Sequence, residues 1–318
     1  MAVYTEVSPA ALDALLADYD LGTAKRLTPI AAGVENTNYF LSTTGGEHVL
    51  TVFERRTPEA DLPYFLRLTE HLRDRGAPCP RPRRRIDGGL VSRVAGKAAA
   101  IVERLPGATL DAPGLEECRE GGAALGRLHR ASAGFPLARP NPLGAEGVAA
   151  LLAELEAPFE ALAPDLASDL STERRALETW RRAGLPSGAV HTDLFPDNAL
   201  FEGNLLIGVI DFYFAADEAF AYDLAVVLIS WCGSDEGLDA AKTAALLSAY
   251  RRERALSVDE EAALLPLCRA ACLRFLLTRL YDVENPREDA LVTPKDPLEY
   301  ADKLRFFRRL DGLPGEAQ

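Results

Sequence analysis

The chain has 318 residues, enough for one bilobal protein or two small domains. Its 48% hydrophobic and 26% charged composition excludes the disordered and fibrous classes. A formal charge of −13 argues against a nucleic-acid backbone or an anionic membrane surface as the main partner, since either selects a basic face.

Ser8-Pro9 ahead of Leu12, Leu15, Leu16 and Tyr19, closed by Gly22, predicts an N-capped amphipathic helix packed on the elements next in the chain. From Lys25 to Glu54 the texture shifts to short apolar stretches broken by AAGVENTNYF and TTGG, which predicts three strands, a glycine-containing loop and a tight hairpin. Residues 58–75 return to helical spacing through Leu62, Phe65, Leu66, Leu68 and Leu72. IDGGL at 86–90 predicts another hairpin and AAAIVERL at 98–105 a buried strand. PGATLDAPG, residues 106–114, reads as a connection. Beyond it LEECREGGAALGRLH and residues 146–183, 223–254 and 258–282 carry helical periodicity, interrupted by one polar loop and an apolar hairpin turned at Glu202-Gly203-Asn204. These elements predict an α+β chain with a small antiparallel-sheet lobe over 1–105 and a larger, mainly helical lobe over 106–318. The five cysteines form neither a Cys-x-x-Cys pair nor an even framework and read as reduced core residues. With no basic-then-apolar leader and no apolar run near the ~20 residues of a membrane span, the expected compartment is cytoplasmic.

The polar loop is VHTDLFPDN, residues 190–198. Asp193, Asn198 and, at the end of the next hairpin, Asp211 place two carboxylates and an amide oxygen together. Such an all-oxygen site suits a hard divalent cation such as Mg²⁺ and leaves one carboxylate to act on a proton. Phosphoryl transfer uses this arrangement, because it needs in-line positioning and charge neutralisation more than covalent help. The spacing also fits the kinase catalytic loop His-Arg-Asp-Leu-x-x-x-Asn at His191, Asp193, Leu194 and Asn198, with Thr192 in place of Arg, and Asp211-Phe212-Tyr213 stands where Asp-Phe-Gly would be. His191, ahead of the acid, reads as a brace for the loop.

HTDLFPDN with GVIDF, and AYDLA whose Asp223 follows twelve residues after Asp211, resembles the aminoglycoside phosphotransferase-like small-molecule kinases, which share the bilobal protein-kinase-like fold. GVENTNYFL, HVLTVFE, LPYFLRLTEHLRDRGAPCPRP, GKAAAIVERLPG, LGRLH, RPNPLG and LRFLLTRLYD are similar to bacterial homoserine kinases of that superfamily. The resemblance implies ATP- and Mg²⁺-dependent phosphorylation of the side-chain hydroxyl of L-homoserine to O-phospho-L-homoserine, a step of threonine biosynthesis. It implies Asp193 as base or orienting group and Asn198 and Asp211 as metal ligands. Asp223 would be a loop-bracing aspartate, with N-capping of a helix an equal account. Gly33, Asn36, Thr37 and Asn38 would lie near the phosphates, and the backbone from Glu103 to Leu105 would meet adenine. The zwitterionic substrate calls for opposite charges at short range, with Asp217, Asp223, Arg274 and Arg279 as candidates. A choline or ethanolamine, methylthioribose or similar hydroxyl kinase is the neighbouring reading, and a pseudokinase used as a binding module is the reading from another class. The partner expected is a small amino acid, with no nucleic acid or membrane, and the chain a monomer or homodimer.

One departure stands out. Related kinases place Lys in the third strand, and VLTVF offers Thr51 there. Metal, loop amides and Arg55 or Arg56 would then meet the phosphate charge, or ATP binding would be impaired.

Overall fold

In the computed structural model, which describes residues 4–30, 36–54, 57–168, 170–181, 184–234, 237–286 and 295–314, the chain begins with the capped helix that its sequence calls for. The Ser8 hydroxyl accepts the Ala11 N–H at 3.2 Å and Pro9 opens α1 (Pro9–Leu16). Leu12, Leu15 and Leu16 are buried against one face of a sheet, packing with Tyr39, Leu41, Leu50, Val52, Ala99 and Ile101. That sheet comprises β1 (Ala24–Pro29), β2 (Thr37–Thr43) and β3 (Gly46–Val52), then, after α2 (Leu62–Asp74), β4 (Ser92–Val94) and β5 (Lys97–Glu103). All pairings are antiparallel, in the order β1-β2-β3-β5-β4. The strict in-out alternation of β2, with Tyr39 and Leu41 on the α1 side, shows why the register cannot slip: one residue of shift would expose the core face.

The hairpin expected at IDGGL is a turn without strands. The real hairpin follows it, between β4 and β5, turned at Ala95-Gly96 with φ of +50° and +78°. Two positive φ values match the twist of a two-residue hairpin, and Ala at the first of them carries no sequence signal for it.

The chain divides into two compact units, Met1–Pro106 and Gly107–Gln318. The second is mainly helical, so the architecture is α+β. It starts with α3 (Leu115–Ala131). The stretch expected to be helical over 146–183 is broken into α4 (Ala145–Glu154), α5 (Glu156–Leu162), α6 (Pro164–Ala167) and α7 (Ser171–Arg181). Two short antiparallel pairs follow: β6 (Ser187–Val190) reaches forward to β9 (Ala216–Ala219), enclosing the hairpin of β7 (Ala199–Glu202) and β8 (Leu205–Val209). Then come α8 (Phe220–Trp231), the two-residue strands β10 (Gly233–Ser234) and β11 (Gly237–Leu238), α9 (Ala240–Glu253), α10 (Val258–Glu284) and α11 (Leu298–Arg308). A complete capping box between Ser257 and Glu260 starts α10. Leu264, Leu267, Cys268, Ala271 and Leu273 make it apolar on every side, the mark of a helix running through a core.

Glycines inside α3 are there for close approach. A Cβ on Gly122 would lie 2.2 Å from the Leu246 carbonyl oxygen of α9. Alanine would gain about 1 kcal/mol of helix propensity, but this contact is with backbone and cannot swing away, and overpacking of that kind costs about 1–3 kcal/mol. Gly122→Ala is therefore expected to lower the melting temperature by several degrees; a variant melting above wild type would refute the close-approach account.

All five cysteines are reduced and buried. No helix among the described residues is long and apolar enough to cross a membrane.

Candidate active site

β6 delivers the chain into the polar loop, and the residue before Asp193 is strained. Thr192 has φ of +63°, an outlier for a β-branched residue that costs on the order of 1–3 kcal/mol unless its surroundings enforce it. Here they do. Thr192 N–H donates to Asp223 Oδ1 at 2.7 Å, its hydroxyl donates to the Phe214 carbonyl at 3.0 Å, and its carbonyl accepts from Arg274 Nη1 at 2.5 Å. Every polar group of Thr192 is spent on the loop's shape, and Asp193 is presented by it.

His191 braces the same loop from inside. Its Nε2 lies 2.9 Å from the Ile210 carbonyl, so that nitrogen carries the proton, and Nδ1 accepts the Asp193 N–H at 3.3 Å. The ring packs on buried Phe212 at 4.7 Å between centroids. Trp231 Nε1 donates to the Leu194 carbonyl at 2.8 Å, fixing the far side.

Asp193 itself is 22% exposed in its side chain, with Arg274 Nη2 3.6 Å from Oδ1. Burial pushes its carboxyl above the usual range, while Arg274 and His191 pull the other way. Asn198 ends a 3₁₀ turn (Pro196–Asn198) and donates from Nδ2 to the Asp193 carbonyl at 2.9 Å. Its Oδ1 makes no hydrogen bond among the described residues. The Asn198 carbonyl accepts the Ile210 N–H at 2.9 Å, continuing the β7–β8 ladder in which Ala199 faces Val209. That register sets Asn198 and Asp211 at the same end of the hairpin. Asp211 is exposed and held in the left-handed region, φ +63° and ψ +61°, as the chain turns into the 3₁₀ segment Phe212–Phe214.

Asp223 is fully buried. Its oxygens accept the N–H groups of His191 at 3.1 Å and Thr192 at 2.7 Å, and His129 Nε2 at 2.9 Å. Burial works against its charge, but the hydrogen bonds from His129 and the His191 N–H outweigh it and hold the carboxyl below the usual range. Asp223 is not an N-cap, since it stands within α8, whose N-cap is Ala219. Arg274 is 2% exposed and turned to Thr192 and Asp193. Arg279 ties α10 to α11 through the Asp296 carbonyl at 2.8 Å and Glu299 at 2.6 Å, over the Tyr300 ring. Asp217, half-buried on β9, accepts the Arg139 N–H at 3.2 Å and donates its own to the Arg139 carbonyl at 2.7 Å.

In the first unit, Gly33, Arg55 and Arg56 lie outside the described residues. Asn36 and Thr37 are buried, and their side chains anchor the start of β2. Asn36 Oδ1 accepts the Glu54 N–H at 3.1 Å; Thr37 Oγ1 accepts from the Tyr4 and Thr5 N–H groups and donates to Glu54 at 2.9 Å. Asn38 accepts the Thr51 hydroxyl at 2.7 Å across the β2–β3 pair. A lysine–glutamate ion pair exists, between Glu54 and Lys97. Yet Lys97 alternates with Ala99 and Ile101 onto the face that α1 covers, whereas Thr51 lies on the other face, so Lys97 does not stand in for the strand lysine. Glu103 N–H is taken by the Arg81 carbonyl at 2.8 Å, while the Leu105 N–H has no partner among the described residues.

Sequence reasoning passed over His129, which sits on the apolar stripe of α3, and His48 on β3. Both are buried, and burial pushes both imidazoles below their ordinary 6.5. As pH falls below 6.5, the unfolded chain takes up protons that the folded one refuses, so stability is lost in that direction until the folded values are reached. Asp193, shifted up, acts in the opposite sense at lower pH, so the isolating comparison is His48→Leu. The urea midpoint is expected to fall between about pH 7.5 and 5.5 in wild type and to fall less in the variant; equal slopes would refute the burial account.

Residues 26–256 match the phosphotransferase enzyme family. Homoserine kinase of Methylobacterium nodulans is 48% identical over 98% of this chain and 97% of its own length, and that of Xanthobacter autotrophicus 47% over 98% and 97%. Among solved structures, amicoumacin kinase hAmiN in complex with AMP-PNP, Ca²⁺ and Ami superposes with a TM-score of 0.66 at 16% identity, over 92% of this chain and 90% of that one. A choline/ethanolamine kinase family protein from Mesorhizobium loti gives 0.62 at 18% identity, over 94% and 92%.

Proposed function

The chain belongs to the phosphotransferase enzyme family, and within it to the homoserine kinases, and from that premise we propose how its own residues carry out the ATP-dependent phosphorylation of L-homoserine. The fold is the α+β, protein-kinase-like one. The product, O-phospho-L-homoserine, is a step toward threonine.

The observation that carries the assignment is a strained loop, held at every polar atom of Thr192, that presents Asp193 beside Asn198 and the hairpin end bearing Asp211. Asp193 accepts the substrate hydroxyl's hydrogen bond. The hydroxyl oxygen bonds to the γ-phosphorus, the bond from that phosphorus to the bridging oxygen breaks, ADP leaves, and the hydroxyl proton ends on Asp193. Burial makes this carboxylate a stronger proton acceptor than a solvated one, and the Arg274 guanidinium opposes that rise.

Asn198 and Asp211 fit Mg²⁺. Nδ2 of Asn198 is committed to the Asp193 carbonyl, Oδ1 makes no hydrogen bond among the described residues, and Asp211, an exposed residue, stands at the same hairpin end. These are hard oxygen donors, and they leave room for phosphate oxygens and water. Bound there, Mg²⁺ would neutralise charge on the transferring phosphate. We assign the adenine contact to the backbone at Leu105, the phosphate cover to Gly33, Asn36, Thr37 and Asn38, and the substrate ammonium to Asp217.

ADP release with homoserine, choline, ethanolamine, methylthioribose and an aminoglycoside tests the acceptor. Homoserine should lead in kcat/KM by about 10²-fold or more, because a site built for a charged headgroup leaves its own groups unpaired with an analogue that lacks it. Equal or better turnover of an amino alcohol would overturn the assignment.

A further inference from the structure

The grip on the catalytic loop does not end at Asp223. His129 at the end of α3 lies with Nε2 2.9 Å from Asp223 Oδ2 and Nδ1 2.8 Å from the Tyr250 hydroxyl on α9. Arg254, at the C-terminus of α9, reaches the same hydroxyl with Nη1 at 3.1 Å. Arg254 is itself set by Glu260 of α10 at 2.8 Å and by the Phe220 ring 4.4 Å beneath its guanidinium. Phe220 in turn packs on the His129 ring at 4.7 Å.

The protons along this line can be placed without ambiguity. Asp223 already accepts two backbone N–H groups and can only accept, so Nε2 of His129 carries the hydrogen. Burial keeps the imidazole neutral, which makes Nδ1 an acceptor. Tyr250 must then donate its hydroxyl proton to Nδ1, and its oxygen accepts from Arg254, whose guanidinium can only donate. Donation runs one way from Arg254 to Tyr250 to His129 to Asp223, and the N–H groups of His191 and Thr192 donate to the same carboxylate from the loop side.

We propose that Tyr250 and Arg254 are positioning residues for phosphoryl transfer, acting through this proton-ordered chain on the strained residue that presents Asp193. Thr192 stays in the left-handed region because Asp223 holds two adjacent N–H groups at once. An Asp223 free to rotate keeps one of them. Tyr250 fixes the His129 ring, the ring fixes the carboxylate, and a charge-assisted hydrogen bond from Arg254 sets the phenol. The inference rests on the reading of Asp193 as the group that acts on the acceptor hydroxyl.

Tyr250→Phe, Asp223→Asn and the double variant test it. Tyr250→Phe should lower kcat by about tenfold, as misplacement far from the chemistry does, with KM for ATP and homoserine within about twofold. Amide exchange over residues 187–199 should quicken in the same variant. The double variant should be no worse than Asp223→Asn alone, since both remove one chain. In wild type, ¹⁵N shifts of His129 at about pH 7.5 should show the neutral Nε2–H tautomer. Multiplying kcat losses in the double variant, unchanged loop exchange in Tyr250→Phe, or an Nδ1–H tautomer would each overturn the proposal. Should Asp223→Asn fail to fold, exchange and tautomer still decide. Should wild type fail to turn over homoserine, the substrate assignment falls while those same two measurements judge the chain.

Discussion

Asp193→Asn will keep the fold and the nucleotide affinity and lower kcat by ~10²-fold or more, the contribution typical of a positioned acid–base group. Asparagine preserves the shape and can still accept a hydrogen bond from the substrate hydroxyl, so ground-state binding survives. It cannot take the proton. The change also removes the charge 3.6 Å from Arg274, but that guanidinium keeps its hydrogen bond to the Thr192 carbonyl, so the loop stays closed and the melting temperature should move by only a few degrees. Melting temperature, ATP affinity and turnover measured on one preparation separate these effects. Turnover within threefold of wild type would remove Asp193 from the mechanism.

The loop was legible in the sequence because its logic is local. Asp193 and Asn198 are five residues apart and joined by the hydrogen bond that gives the spacing its meaning, and Asp211 follows a short hairpin with an unambiguous turn. The groups that close on that loop come from far along the chain. Asp223 reaches His129 across 94 residues, and Arg274 reaches Thr192 across 82. No periodicity announces such a meeting; a His or Arg on a helix reads alike whether it touches solvent or the active site. The polar run after the glycine loop shows a second kind of partnership that the sequence does not announce. Asn36 and Thr37 have the residue types of a phosphate cradle, yet Glu54 and the N-terminal segment at Tyr4 and Thr5 consume their side chains. The helical pattern over 146–183 was real in each piece, but Pro164 and the breaks around it make four short helices of what periodicity joins.

Thr51 belongs to the same lesson. Its hydroxyl is satisfied by Asn38 inside the sheet, and the nearest lysine–glutamate pair faces the other way. The residue contributes a cross-strand hydrogen bond where related kinases contribute a cation.

Arg274 decides between two roles that the sequence could not separate, a clamp for the substrate carboxylate and a support for the catalytic one. Its geometry favours support: it is buried, with Nη1 on the Thr192 carbonyl and Nη2 toward Asp193. Arg274→Met keeps much of the side-chain volume and deletes the charge. The Thr192 carbonyl loses its donor and Asp193 its buried cation, a change expected to cost about 3 kcal/mol of stability, because removing one partner strands the other. The kinetic signature is more telling. With the cation gone the Asp193 carboxyl rises further, so less of it is ionised at a given pH and the acid limb of kcat moves to higher pH. A carboxylate clamp would instead raise KM for homoserine and leave kcat at saturation near wild type. We expect kcat to fall by about 10²-fold, the acid limb to move upward, and KM for homoserine to stay within about threefold. Arg274→Lys should recover little, since one ammonium cannot span the two groups that the planar guanidinium meets at once. A large rise in KM with kcat preserved would return Arg274 to the substrate and leave the strained loop without its third support.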